Sequence, residues 1–128
     1  MPEVLVVDDS KVMREMVVAC LRAIDGLHFA HAASGLEAIE QLSLRSYDLV
    51  VLDLNMPDIG GVEVVEFIRG QDTLRELPIL IVTTRGDDLS RDRVMKAGAS
   101  RFLTKPFQPE TIVAEARSLL GTQPAVAS

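Results

Sequence analysis

Five side chains in this 128-residue chain suit one another chemically although they lie far apart: Asp8 and Asp9, Asp53, the hydroxyl of Thr83 and the ammonium of Lys105. Each ends or follows a short run of strand-forming residues: VLVV, LVVL, ILIV and RFLT. Taken alone, Asp8-Asp9 reads equally well as a solvated strand end. Asp53 and Lys105 remove that ambiguity. Three close carboxylates resist ionising together unless a cation joins them. Mg²⁺ is the natural choice, because it takes oxygen ligands and typically uses one or two carboxylates plus a phosphoryl group. Lys105 and Thr83 are poor ligands for a metal but good donors to phosphoryl oxygens. The set points to magnesium-assisted phosphoryl chemistry, with Asp53 as a nucleophile able to form an aspartyl-phosphate.

The elements that must bring these residues together follow from hydrophobic periodicity. Val4 to Val7, Leu49 to Leu52, Ile79 to Val82 and Arg101 to Thr104 are too short for helices and suit buried strands, with His28 to Ala32 a weaker one. Between them, apolar residues recur at helical spacing. The first such segment holds Val12, Met13, Met16, Val17, Cys20, Leu21 and Ile24, with Asp9 or Ser10 as N-cap and Gly26 as stop. Ser34 with Glu37 forms a capping-box pattern for a second helix reaching about Leu44. Val62, Val65 and Ile68 mark the third. Leu89 to Ala97 is a fourth with a ragged apolar pattern, and Pro109 opens a fifth. Strands alternating with helices imply right-handed crossovers and a doubly wound, five-stranded parallel sheet. In such sheets ligands bind beyond the carboxyl ends of the strands, which is where the five side chains fall.

Composition bounds the alternatives. A net charge of −6 argues against a generic nucleic-acid surface, which would normally need a basic stripe. No apolar run approaches the ~20 residues of a membrane span, and MPEVLVVDD lacks the basic start of a signal peptide. One cysteine, Cys20, rules out an internal disulfide. A cytoplasmic protein is expected, with a single domain over 1–121 and a flexible tail over 122–128.

Four motifs, VVDDS, LDLNMPDIGG, IVTT and FLTKPF, stand in the order and at the approximate spacings of a known family. From Val4 to Leu120 the chain resembles a bacterial two-component response-regulator receiver domain of the CheY type. That resemblance implies the flavodoxin-like strand order 2-1-3-4-5. It implies Asp53 as phosphoacceptor from the phosphohistidine of a sensor kinase or a histidine phosphotransfer protein. Asp9 would be a direct Mg²⁺ ligand, Asp8 would act through a metal-bound water, and the backbone carbonyl of Asn55 would supply another ligand. Lys105 would pair with Asp53 before reaction and with the phosphoryl group afterwards. Thr83 and the N–H of Thr84 would donate to phosphoryl oxygens. Thr83 and Phe102 would form a switch, linking the site to an output face made of the fourth helix, fifth strand and fifth helix. Pro57 and Gly61 would shape the loop after Asp53, and Lys105-Pro106 would be a cis bond aiming the lysine.

Several positions carry their own signal. Asn55 and Arg85 lie where the family tunes water access and hydrolysis, and Thr84 is larger than the small residue common there. Phe102 lacks the hydroxyl of a tyrosine. His28 and His31, three apart on a strand, fall on opposite faces and do not suggest chelation. An aspartyl-nucleophile phosphatase would need a second acid at position 55, and asparagine cannot serve as one. A phosphate-independent interaction module fits poorly with an intact acid, hydroxyl and lysine set. The expectation is a stand-alone receiver that assists its own phosphorylation and slow dephosphorylation, acting in chemotaxis, as a relay intermediate or as a phosphate sink.

Overall fold

The computed structural model describes residues 2–121. Five strands and five helices alternate: β1 (Glu3–Val7), α1 (Lys11–Leu21), β2 (His28–Ala32), α2 (Gly35–Leu44), β3 (Leu49–Leu52), α3 (Gly61–Gly70), β4 (Ile79–Thr83), α4 (Asp88–Ala97), β5 (Arg101–Thr104) and α5 (Pro109–Leu120). The strands form one parallel sheet in the order β2-β1-β3-β4-β5. Both the sheet and its order match the expectation. The tail over 122–128 lies outside the described residues.

Period-two alternation divides the core into two layers. Leu5, Val7, Val50, Leu52, Ile79 and Ile81 point to one side, where α2, α3 and α4 supply Ala38, Leu42, Val64, Val65, Ile68 and Val94. Val4, Val6, Leu49, Val51, Leu80 and Val82 point to the other, against Val17, Val18 and Leu21 of α1 and Ile112 and Ala116 of α5. The three central strands are apolar at every core position because both their faces are covered. β2, an edge strand, exposes His28 and His31 and so carries a weaker apolar signal.

Local signals set the helix starts. Ser10 caps α1 by accepting from the Met13 N–H. Ser34 accepts from the Glu37 N–H at 3.1 Å, while Glu37 reaches back to the N–H of Ala33 at 3.2 Å. That is a capping box displaced by one residue at its second bond. Asp87 caps α4 through the Ser90 N–H.

The first helix is shorter than its periodicity predicts. α1 ends at Leu21, and the N–H groups of Ala23 and Ile24 bond back to Cys20 and Leu21. Ile24 is nonetheless buried, because this tight turn folds it onto the same layer. Gly26 then adopts φ 84° and leads into β2, a conformation glycine takes without strain. Val94 is the only fully buried residue of α4, which explains its ragged pattern.

Candidate functional site

Parallel strands put their carboxyl ends on one side, and the register aligns the junctions. Val7 pairs with Leu52 and with Ala32, so the residues after β1 and β3 emerge side by side. The Asp53 N–H extends the ladder by bonding to the Val7 carbonyl at 3.0 Å. Asp53 therefore follows β3 directly. Thr83 pairs with Thr104, which places Lys105 just beyond the end of β4.

Asp8, Asp9 and Asp53 each present a carboxylate oxygen within 4.8 Å of the others. Asp8 and Asp53 are each 5% exposed, whereas Asp9 is open to solvent. The Lys105 Nζ meets two of them, 2.7 Å from Asp8 Oδ2 and 3.4 Å from Asp53 Oδ2. The lysine thus contacts both buried acids, and Asp8, rather than the expected Asp53, is its nearer partner. The ammonium offsets the mutual repulsion of these neighbouring buried carboxylates by meeting both of them. The remaining oxygens also have partners. Asp8 Oδ1 accepts from the Ser10 N–H at 2.9 Å, and Asp53 Oδ1 from the Asn55 N–H at 3.2 Å.

The surrounding positions divide by distance from the acids. Thr83 is fully buried, and its hydroxyl accepts from the Arg85 N–H at 3.1 Å. The Asn55 side-chain amide donates to the exposed Thr84 hydroxyl at 3.3 Å, joining the loops after β3 and β4. Arg85 lines a hollow together with Gly61 and Glu63. Gly61 is a site of close approach, since a Cβ there would lie 2.7 Å from the Asp53 carbonyl oxygen. Pro57 is exposed in the same loop. The Lys105–Pro106 bond is cis. Phe102 stands apart from the acids: it pairs with Ile81, packs on the layer that contains α4, and has the Arg91 guanidinium 5.6 Å from its ring centroid.

The donor set fits a hard divalent cation. Ligands at 2.0–2.1 Å from Mg²⁺ lie at most about 4.2 Å apart, so oxygens that already lie within 4.8 Å of one another need at most a small contraction. The exposed Asp9 gives the ion a path from water.

The receiver-domain family of response regulators matches residues 4–117. This chain belongs to that family. Among the relatives of the receiver, chemotaxis protein CheY1 of Helicobacter pylori is 32% identical over 121 residues, covering 94% of this chain and 98% of the relative. The chemotaxis protein CheY homolog of Campylobacter jejuni is 34% identical over 122 residues, covering 94% and 93%. The solved structure of the chemotaxis response regulator CheY4 of Vibrio cholerae superposes with a TM-score of 0.85 at 34% identity, covering 93% of this chain and 98% of that one. The receiver is a phosphoacceptor signalling domain of the two-component type. Among its described residues, no helix is long and apolar enough to cross a membrane.

Two residues near the site escaped the sequence reading. Asp58, in the loop after Asp53, accepts from the N–H groups of Gly35 and Leu36 and so caps α2 from 22 and 23 positions away. Backbone N–H groups, that of Leu36 first, then those of Ile59 and Gly35, hold its carboxyl below the usual aspartate range against the opposing effect of desolvation. Arg14 donates to the main-chain carbonyl of Asp8 at 2.6 Å. Asp58 had no local signal, because its partners are remote. Arg14 had one, its position one turn after the N-cap Ser10, but periodicity reads it only as a polar face.

Proposed function

We propose that Asp53 is the phosphoacceptor and that Asp8, Asp9 and the Asn55 carbonyl hold Mg²⁺ beside it. The observation that carries this reading is the gathering of three carboxylates within 4.8 Å of one another, two of them paired with one lysine. An Asp53 carboxylate oxygen attacks the phosphorus of a phosphohistidine on a sensor kinase or histidine phosphotransfer protein. As the new O–P bond forms, the P–N bond breaks and the imidazole leaves with the electron pair. Bound Mg²⁺ supplies neutralising charge for the acids and the incoming phosphoryl oxygens. Catalysis is otherwise positioning and charge compensation. Lys105 pairs with the phosphoryl group, the Thr83 hydroxyl turns from the Arg85 N–H to donate to one phosphoryl oxygen, and the Thr84 N–H donates to another.

Water attacking the phosphorus then returns the carboxylate and releases phosphate. The domain therefore assists its own resetting but turns over no separate substrate. Access for that water, or for a phosphatase, is shaped by Asn55, Thr84 and Arg85. Movement of Thr83 opens space that Phe102 enters, and the change reaches α4, β5 and α5, where a protein partner binds. The exposed Leu89 on α4 and the Arg91 contact to Phe102 support this face as the output. The names of its relatives favour chemotaxis signalling, a role we assign to the cytoplasm.

Mass spectrometry after incubation with acetyl phosphate and Mg²⁺ tests the reading. The wild type gains one phosphoryl mass and Asp53→Asn gains none at that side chain. Failure of the wild type to gain mass from either acetyl phosphate or a competent kinase would overturn it.

A further inference from the structure

Asp8 is anchored at four points. Its N–H donates to the Ala32 carbonyl at 3.1 Å, which continues the sheet. Its side chain takes the Ser10 N–H at 2.9 Å and the Lys105 ammonium at 2.7 Å. The fourth anchor comes from outside the acid cluster: a terminal nitrogen of Arg14 reaches back from α1 to the Asp8 main-chain carbonyl at 2.6 Å.

That carbonyl belongs to the peptide unit joining Asp8 to Asp9. Because the unit is planar, fixing its C=O also fixes the N–H and Cα of Asp9. Arg14 therefore helps set where the exposed Asp9 side chain starts, relative to the buried, multiply bonded Asp8. The arginine is itself braced. Its Nε donates to Nδ1 of His31 on β2 at 3.2 Å. In that pairing the neutral imidazole accepts at Nδ1 and carries its proton on Nε2. The guanidinium is a rigid planar fork, so an anchor on Nε also aims the terminal nitrogen.

We propose that Arg14, braced by His31, is a positioning residue that sets the spacing of the Asp8 and Asp9 carboxylates for a divalent cation. The proposal rests on the reading of these acids as a cation site. Charge on Arg14 alone does not suffice. The acceptor on His31 matters because it orients the fork.

The test titrates the full chain with Mg²⁺ alone, without a phosphodonor, by calorimetry, and unfolds each metal-free variant in denaturant. Arg14→Ala weakens Mg²⁺ binding about tenfold, the range seen when a group that orients a metal ligand is lost. Arg14→Lys, which keeps the charge without the fork, recovers less than half of that loss on a logarithmic scale. His31→Leu removes the acceptor and weakens binding about threefold, whereas His31→Gln keeps a carbonyl acceptor and restores it to within about twofold. A merely structural role would shift unfolding midpoints without separating leucine from glutamine in Mg²⁺ affinity. Wild-type affinity in Arg14→Ala, or equal affinities for His31→Leu and His31→Gln, overturns the positioning role while leaving the cation site intact. No saturable Mg²⁺ binding by the wild type removes the cation site itself, and the proposal with it.

Discussion

The ammonium of Lys105 meets the carboxylate of Asp8 at 2.7 Å across 97 residues of chain, with Asp53 0.7 Å further from the same nitrogen, at 3.4 Å. Both acids and the lysine are largely buried, so none of the three charges is well solvated. The lysine occupies the charge role that a divalent cation would share. A divalent cation held by these acids would therefore compete with the ammonium for Asp8.

Replacing Lys105 with methionine separates these effects. Without metal, two buried carboxylates lose their counter-charge, and the fold loses about 3 kcal/mol. With Mg²⁺ the loss shrinks, because the competing ammonium is gone and the ion stabilises the folded state by binding to it. Denaturant unfolding with and without Mg²⁺ reads both terms. An equal loss under the two conditions contradicts the competition.

Gly61→Ala tests the packing beneath the phosphoacceptor. A Cβ at this position meets the Asp53 carbonyl oxygen at 2.7 Å, the Leu54 Cα at 2.8 Å and the Leu54 Cδ2 at 2.9 Å. Two of these atoms are backbone and cannot rotate away. The variant is destabilised by about 1–3 kcal/mol, as overpacking predicts. Its Mg²⁺ affinity falls too, because the Asp53 backbone must shift. A shift in unfolding midpoint without any change in Mg²⁺ binding separates the loop from the site.

Asp58 gives a pH dependence with a definite sign. Backbone N–H groups, that of Leu36 foremost, lower its folded pKa below the unfolded value. The wild-type advantage over Asp58→Ala is therefore complete above the unfolded aspartate value of about 3.9 and is lost as pH falls through the folded value beneath it. Thermal melts of the two proteins from neutral to strongly acidic pH differ at the upper end and converge at the lower. A constant gap across that range excludes the ionised cap.

Thr83→Val removes a hydroxyl at a fully buried position while keeping its shape. The Arg85 N–H loses its acceptor, at a cost of about 1 kcal/mol. Phosphoryl uptake on Asp53 persists, because the nucleophile and lysine are untouched. The response at Phe102 is lost, and nuclear magnetic resonance of the Phe102 ring with and without beryllofluoride reads it. A wild-type-sized ring shift in the valine variant rules out the threonine as the link.

Much of this molecule was legible along the chain. Leu49 to Leu52 and Ile79 to Val82 declare themselves as strands because a sheet covered on both faces needs apolar residues at every position. Ser10, Ser34 and Pro109 mark helix starts through interactions that reach only a few residues. Asp8, Asp9, Asp53, Thr83 and Lys105 could be chosen because each stands at the end of a strand, and parallel strands share an end. The early stop of α1 was not legible, because Ile24 keeps the helical period while being buried through a turn.

The sequence by itself determined which chemistry was available: the residue types and their strand-end positions come from local periodicity and from the rule that parallel strands align. Only the tertiary structure decided who touches whom. That Lys105 reaches Asp8 before Asp53, that Asp58 caps a helix 22 residues upstream, and that Arg14 spans from His31 to the acid loop all depend on distances between remote segments. Such contacts leave no periodic trace, because each involves one side chain meeting a partner set by register and crossover geometry rather than by neighbours in sequence.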